Sequence, residues 1–276
     1  MRRPLDLEMV RRGLVPSREE AATAIRAGTV LVAGRPATKA AALVAPAESI
    51  SIETSDRDYV SRGGRKLEAA LQRFGIDVAG RSALDAGAST GGFTHCLLRH
   101  GAAAVVAVDV GYGQLDWSLR TDERVTVLER TNVRQLDPGM LPFAPGVVTA
   151  DLSFISLGMV VTALARCAAT RADFVLLVKP QFEASREEVA PGGVVVDPAA
   201  RRSAIRRVAD ACAATGLTVR DVTASPILGP AGNAEFFLWA DRTDASTAPA
   251  GAPSGADLGL AIDRALPEAP DGGEAT

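Results

Sequence analysis

From residue 61 to residue 240 the chain alternates short apolar runs with stretches of helical periodicity, and no other feature limits its fold so tightly. Residues 82–86, 103–108, 125–128, 147–150, 172–178, 217–224 and 234–240 read as strands, and 90–100, 156–169 and 199–215 as helices. A strand followed by a crossover helix pairs parallel with the strand that the helix leads to. The pattern predicts an α/β fold, a doubly wound and mostly parallel sheet of Rossmann-like kind. Ligands of such sheets bind beyond the C-terminal ends of the strands, so the chemistry belongs to the residues that close each run.

The flanking segments differ in character. Within the first 47 residues, eight basic side chains stand against four acidic ones, a balance compatible with nucleic acid. Leu7, Val10, Ala21 and Ile25 recur at helical spacing, Ser17 and Glu20 match a capping box, and 28–34 reads as a strand ending in a turn. Residues 241–276 carry seven acids and two arginines, so the formal charge of −3 hides a body of about +2. Ala, Pro, Gly and Ser dominate that end; 243–276 is expected to be a disordered acidic tail, in which 258–266 can form a short helix. The expected organisation is a small basic domain over 1–52, a hinge-like linker over 53–64 favoured by its polar run and its two glycines, a larger domain over 65–242, and the tail.

With 47% hydrophobic and 23% charged residues the composition is that of a soluble globular protein. No run approaches the ~20 apolar residues of a membrane span. The N-terminus lacks the apolar stretch of a secretory signal. Cys96, Cys167 and Cys212 are widely spaced and odd in number, which indicates buried thiols in a reducing compartment and not a disulfide framework or a zinc site. The expectation is a cytoplasmic protein without membrane or metal partners; the oligomeric state is not legible.

Between the first strand and its helix lies Leu84-Asp-Ala-Gly-Ala-Ser-Thr-Gly-Gly-Phe93. Its glycines permit a tight turn and close approach of a ligand. The spacing is not that of the dinucleotide fingerprint G-x-G-x-x-G, which disfavours a nicotinamide cofactor. An acid ahead of the first glycine suits a cofactor with a cationic amino-acid end. Asp109 closes the next strand, where a carboxylate can accept from both ribose hydroxyls. Together these point to S-adenosylmethionine. The candidate contacts are Asp85, Gly87, Ala88, Ser89, Thr90, Gly91 and Gly92 in the loop, with Asp109 and Val110 after the second strand.

Lysine is rare: Lys39, Lys66 and Lys179 are the only three, against 27 arginines. Arginine stays charged, whereas a lysine can lose its proton and act as a base. Lys66 follows Ser-Arg-Gly-Gly-Arg and Lys179 closes the run Phe-Val-Leu-Leu-Val. Both neighbourhoods make these lysines candidates for something arginine cannot do.

Two family resemblances extend this reading. Ser17-Arg18, Ala21, Ile25-Arg-Ala-Gly-Thr-Val30, Val32-Ala-Gly34 and Lys39 resemble the S4 RNA-binding domain over roughly residues 4–52, although Pro4 and Ala33 stand where that domain usually has Arg and Asn. The resemblance implies a small α+β fold with phosphate contacts from Arg3, Arg11, Arg12, Arg18, Arg26 and Lys39, to which Arg62 and Arg65 add basic charge beside Lys66. Ser-Arg-Gly-Gly-Arg-Lys-Leu (61–67), Asp-Val-Gly-Tyr-Gly-Gln-Leu (109–115), Glu-Arg-Thr-Asn (129–132), Asp-Leu-Ser-Phe-Ile-Ser-Leu (151–157) and Lys-Pro-Gln-Phe-Glu (179–183) resemble the TlyA-type ribosomal RNA methyltransferases, sometimes labelled haemolysins. That family joins an S4 domain to an FtsJ-like, class I S-adenosylmethionine-dependent domain.

The resemblance implies 2′-O-methylation of cytidine ribose in 16S or 23S rRNA within ribosomal subunits, tied to sensitivity to capreomycin. It implies Thr131 and Asn132 at the adenine, Asp151 at the methionine end, and a catalytic set of Lys66, Asp151, Lys179 and Glu235. A ribose hydroxyl must lose its proton as it attacks, and Lys179 is the candidate to orient it and accept that proton. A non-catalytic S4-type RNA-binding protein retaining the cofactor fold and a small-molecule O-methyltransferase remain as alternatives.

Overall fold

The computed structural model describes residues 2–15, 17–26, 30–45, 48–52, 59–190, 192–242 and 255–270, and of 255–257 the backbone alone. The chain forms two compact units, Met1–Asp58 and Tyr59–Thr276.

In the first unit β1 (Arg3–Pro4) leads into α1 (Leu5–Arg11), followed by α2 (Arg18–Arg26), β2 (Val30–Val32), β3 (Arg35–Pro36), β4 (Leu43–Val44) and β5 (Ile50–Ile52). β1 pairs with β4, and β2 runs between β3 and β5, all antiparallel. Leu5, Met9, Ala21, Ile25, Val30, Val44 and Ile50 form its core, the helical and strand periodicities meeting on one side. The β2–β3 turn has positive φ at both central residues, +48° at Ala33 and +75° at Gly34. Ala33 thus sits in the left-handed region that Asn tolerates better, at the very position where the S4 pattern has Asn.

The second unit contains α3 (Gly63–Phe74), β6 (Ser82–Ala86), α4 (Gly92–Arg99), β7 (Ala104–Val108), α5 (Trp117–Arg120), β8 (Val125–Leu128), β9 (Val147–Ala150), α6 (Val161–Cys167), β10 (Ala172–Val178), α7 (Pro180–Glu183), α8 (Pro198–Ala214), β11 (Thr218–Ala224), β12 (Phe236–Arg242) and α9 (Gly255–Glu268). Its seven-stranded sheet has the order β11-β12-β10-β9-β6-β7-β8. β12 runs antiparallel to both its neighbours; the other pairings are parallel. Strand alternation feeds two cores. Leu84, Ala86, Val148, Phe174 and Leu176 pack with α6, α8 and α9, while Ala83, Val105, Val147, Val175 and Leu177 pack with α3 and α4. α8 starts where Asp197 accepts a hydrogen bond from Ala199 N and Pro198 occupies the first turn.

Three expectations are corrected. Residues 59–64 are not a hinge but part of the second unit; 53–58 lie outside the described residues. Tyr59 is buried and its ring fills the space beside Gly64, where a Cβ would stand 2.1 Å from Cγ of Tyr59. The glycine pair is there for close packing. The expected helix over 156–169 splits into a 3-10 turn at Leu157–Met159 and α6, since Val160 leaves the ladder at φ −116°. Of the expected disordered tail, 243–254 and 271–276 lie outside the described residues. The short helix allowed for over 258–266 is part of the longer α9, in which Ala261, Ile262 and Ala265 are buried in the core and Arg264 pairs with Asp221 of β11 at 2.5 Å. Enough apolar side chains recur at helical spacing to offset the cost of ordering it.

Gly64→Ala is expected to lower the unfolding free energy of the second unit by about 1–3 kcal/mol through overpacking against Tyr59. Chemical denaturation followed by fluorescence of Trp117 and Trp239, both in this unit, measures it; an unchanged midpoint would contradict the packing role.

Candidate active site

Asp85, Asp109, Asp151 and Lys179 all stand at the C-terminal ends of parallel strands, β6, β7, β9 and β10 in turn. Glu235 comes from the opposite chain direction. Because β12 is antiparallel with Val178 opposite Phe236, its start lies at the edge where β10 ends. The residue before Phe236 and the residue after Val178 therefore lie at the same edge of the sheet. Lys66 joins them from the first turn of α3.

Lys66, Glu235, Lys179 and Asp151 form two ion pairs. Lys66 Nζ donates to Glu235 Oε2 at 2.6 Å, and both are buried, 7% and 1% exposed. Lys179 Nζ lies 2.6 Å from Asp151 Oδ1 and donates to Ser153 Oγ at 3.1 Å. Glu235 Oε1 has no hydrogen-bond partner among the described residues and packs against Gly229, where a Cβ would lie 2.5 Å from it. Asn233, buried two residues earlier, accepts from Val195 N at 2.9 Å and donates to Gly193 O at 2.8 Å, which anchors the loop that leads to Glu235.

The loop after β6 is built around backbone that only small residues allow. Gly87 has φ +86°, and a Cβ there would lie 2.4 Å from the carbonyl oxygen of Asp151, so this loop touches the one after β9. Ser89 also has positive φ, at 48°. Asp109 accepts from Ser89 N at 2.8 Å through one oxygen and from Gly111 N at 2.7 Å through the other. Its carboxylate thus orders two loops while each oxygen keeps a lone pair. Thr131 Oγ1 donates to Glu129 O at 3.1 Å, and Asn132 caps a 3-10 turn through Arg134 N. Ala88 is buried, whereas Thr90 and Val110 are exposed. Gly91 and Gly92 serve packing, against Leu119 and Ser61 respectively.

Asp85 is fully buried. Oδ2 accepts from Thr94 Oγ1 at 2.7 Å, and Oδ1 has no partner among the described residues. Burial pushes its carboxyl up to about 7, with the nearby Asp151 and Asp109 charges in the same direction and the Thr94 hydrogen bond opposing. Sequence reasoning missed Thr94, Ser153, Gly229 and Asn233; Ser153 and Asn233 act on residues 26 to 40 positions away, and the spacing of Thr94 to Asp85 and of Gly229 to Glu235 matches no motif. It also missed Phe154, which is 92% exposed with φ +64°, on the loop after β9. Tyr112 and Trp117 are exposed on the segment after β7, the former under the Arg130 guanidinium at 4.3 Å.

In the first unit Arg3, Arg11, Arg18, Arg26 and Lys39 are exposed, as are Arg62 and Arg65 in the second. Arg11 pairs with Glu8 at 2.5 Å, and Arg18 with Asp6 at 2.7 Å. Arg12 departs from its expected role. It is only partly exposed, bonds Glu8 at 2.8 Å, and donates to the carbonyls of Glu48 and Ala45, so it braces the fold. The hydrogen bonds from Arg11 and Arg12 hold the buried Glu8 carboxyl down to about 2.

Among the described residues no cluster of three metal-ligating side chains occurs, and no helix is long and apolar enough to cross a membrane.

Two stability predictions follow from the buried charges. Lys66→Ala strands Glu235 and is expected to cost about 3–5 kcal/mol; Lys179→Ala, in a more open pair, should cost clearly less. Equal losses in urea titrations would refute that contrast. Asp85 has a higher pKa folded than unfolded, so the folded state binds its proton more tightly. Its contribution should lower stability, on the order of a few kcal/mol, as pH rises from about 4 to about 7. Asp85→Asn should flatten that slope, and an identical slope in both proteins would show that Asp85 is not its source.

The comparisons with known proteins agree on one family. The family described as FtsJ-like methyltransferase matches residues 59–242, and the S4 domain matches residues 3–50. The "16S/23S rRNA (cytidine-2'-O)-methyltransferase TlyA" of Mycobacterium tuberculosis (strain ATCC 25618 / H37Rv) is 51% identical over 268 residues, which are 96% of this chain and 98% of that protein. "Hemolysin A" of Brachyspira hyodysenteriae is 38% identical over 226 residues, 82% of this chain and 94% of that protein. Among solved structures, "Putative hemolysin from Streptococcus thermophilus" superposes with a TM-score of 0.70 at 34% identity, covering 97% of this chain and 96% of that one.

Proposed function

We propose that this chain, which belongs to the FtsJ-like methyltransferase family, methylates the ribose 2′-hydroxyl of cytidine in ribosomal RNA. It is an S-adenosylmethionine-dependent methyltransferase with an N-terminal S4 domain. The observation that carries the substrate reading is the meeting of Lys179 and Asp151, at 2.6 Å, beside the buried Lys66–Glu235 pair. A ribose hydroxyl needs a base, and these residues offer one.

The loops fit the cofactor. Asp85 keeps a buried oxygen without a partner, suited to a cationic amino group, and Asp109 keeps a lone pair on each oxygen, suited to ribose hydroxyls. Gly87 lets the loop after β6 lie against the Asp151 carbonyl, which brings the Asp85 and Asp151 loops together. Asp85, Gly87, Ala88, Ser89, Asp109 and Asp151 would hold S-adenosylmethionine, with Thr131 and Asn132 toward the adenine. Thr90 and Val110, both exposed, would border it, and Gly91 and Gly92 would support the loop from behind. When bound, the cofactor supplies an electrophilic methyl on a positively charged sulfur, so positioning and proton removal are what remains for the protein.

In this reading Lys179 orients the 2′-hydroxyl and accepts its proton as the oxygen takes the methyl from the sulfur; Asp151 and Ser153 hold the amine in place. Lys66 and Glu235 form the dry wall of the site, and their charges, paired with each other, keep the local field fixed. The exposed rings of Tyr112, Trp117 and Phe154 suit stacking on nucleobases, and Arg3, Arg11, Arg18, Arg26, Lys39, Arg62 and Arg65 suit phosphates. The relative named for 16S and 23S rRNA supports action on both subunits, and, from the family resemblance, a cell lacking the enzyme is expected to tolerate capreomycin.

The test is transfer of a labelled methyl from S-adenosylmethionine to purified 30S and 50S subunits, followed by mapping of 2′-O-methylcytidine. Label in free nucleosides but in neither subunit would sink the reading. Lys179→Arg should abolish transfer while calorimetry finds the cofactor affinity nearly unchanged, because guanidinium does not deprotonate at accessible pH. Near-normal single-turnover rates in that variant would remove Lys179 as the base.

A further inference from the structure

The motif Lys179-Pro-Gln-Phe-Glu183 ends in a carboxylate that the proposed chemistry leaves without a task. Glu183 is only 9% exposed. Its Oε2 accepts from Ser156 Oγ at 2.5 Å and its Oε1 from Leu157 N at 2.7 Å. Both donors belong to the loop after β9, the loop that begins with Asp151. Burial pushes the Glu183 carboxyl up, and these two hydrogen bonds oppose that push. A carboxylate kept out of water persists only where such partners compensate it.

The two segments meet along their whole length. Asp151 faces Lys179 at 2.6 Å, Ser153 accepts from Lys179 at 3.1 Å, the rings of Phe154 and Phe182 lie 5.4 Å apart, and Ser156 and Leu157 reach Glu183. Lys179 and Glu183 are the two ends of one short turn, closed by hydrogen bonds from Phe182 N to Lys179 O and from Ala184 N to Pro180 O. The turn is too short to flex between its ends, so what holds Glu183 also holds Lys179. Phe154 needs such restraint as well, since its φ of +64° is unfavourable for a side-chain-bearing residue.

We infer that Glu183 is a positioning residue: its buried carboxylate clasps the Asp151–Leu157 loop to the Lys179–Glu183 turn and thereby sets where the Lys179 amine points. This rests on the reading of Lys179 as the base, but the placement of the amine is measurable without any RNA.

With only three lysines in the chain, competitive acetylation by acetic anhydride, read by mass spectrometry, reports each amine separately. In Glu183→Gln the acetylation rate of Lys179 should rise several-fold, while Lys66 and Lys39 keep their wild-type rates. Single-turnover transfer to ribosomal subunits at saturating S-adenosylmethionine should fall about 10- to 100-fold, the range that displacement of a reacting group by about 1 Å produces, with cofactor affinity unchanged. Ser156→Ala, which removes one of the two bonds and spares the carboxylate, should move both readouts in the same direction by less; it also decides the matter should Glu183→Gln not fold. Unaltered Lys179 acetylation in the folded variants would overturn the clasp. So would a parallel rise at Lys66, which would mean general loosening. Wild-type protein that methylates neither subunit would refute the substrate reading instead, and the acetylation rates would still judge the clasp.

Discussion

A charged pair held away from water ties the start of the catalytic unit to its end. Lys66 on α3 and Glu235 ahead of β12 are 169 residues apart in sequence and 2.6 Å apart in space. Neither charge is tolerable there alone, because burying an unpaired ion costs several kcal/mol. The pair therefore demands that α3 dock against the sheet and that β12 enter between β10 and β11 in the antiparallel sense. Once β12 is so placed, Val178 stands opposite Phe236, and Lys179, Asp151 and Glu235 share one edge. The site is a consequence of this arrangement and needs no loop of unusual length.

Around that edge the protein spends backbone, not side-chain bulk. Gly87 lets the loop after β6 lie against the carbonyl of Asp151, and Asp109 uses both carboxylate oxygens to gather the amides of Ser89 and Gly111. Gly64 and Gly92 do comparable work behind the site, where Tyr59 and Ser61 crowd α3 and α4. Positive φ at Ser89 and Phe154 marks where the chain accepts local strain in the loops at this edge.

Much of this was legible beforehand, and the reasons are local. The strands over 82–86, 125–128, 147–150 and 172–178 reappear with the same bounds because alternation with period 2 and apolar closure leave little freedom. The rarity of lysine pointed at Lys66 and Lys179 because substitution by arginine is otherwise so free in this chain. What misled was composition. The polar run and two glycines of 53–64 look like a hinge until Tyr59 is seen packed against Gly64, and an Ala-, Pro- and Gly-rich tail hides α9, whose few apolar residues pack against β11 and α8. Arg12 looked like its basic neighbours, but its donors are spent on the carbonyls of Ala45 and Glu48.

The order of strands and helices along the chain, the glycine-rich loop after β6 and the acid after β7 were set by the sequence alone, since each is a pattern among neighbours and short-range physics suffices to read it. The pairing of Lys66 with Glu235 and of Lys179 with Asp151, the partnerless oxygen of Asp85, and the reach of Glu183 to Ser156 were decided only by the tertiary structure. These are contacts between segments that the chain brings together by sheet register, and a carboxylate carries no mark in its sequence of which distant amine or hydroxyl will end up beside it.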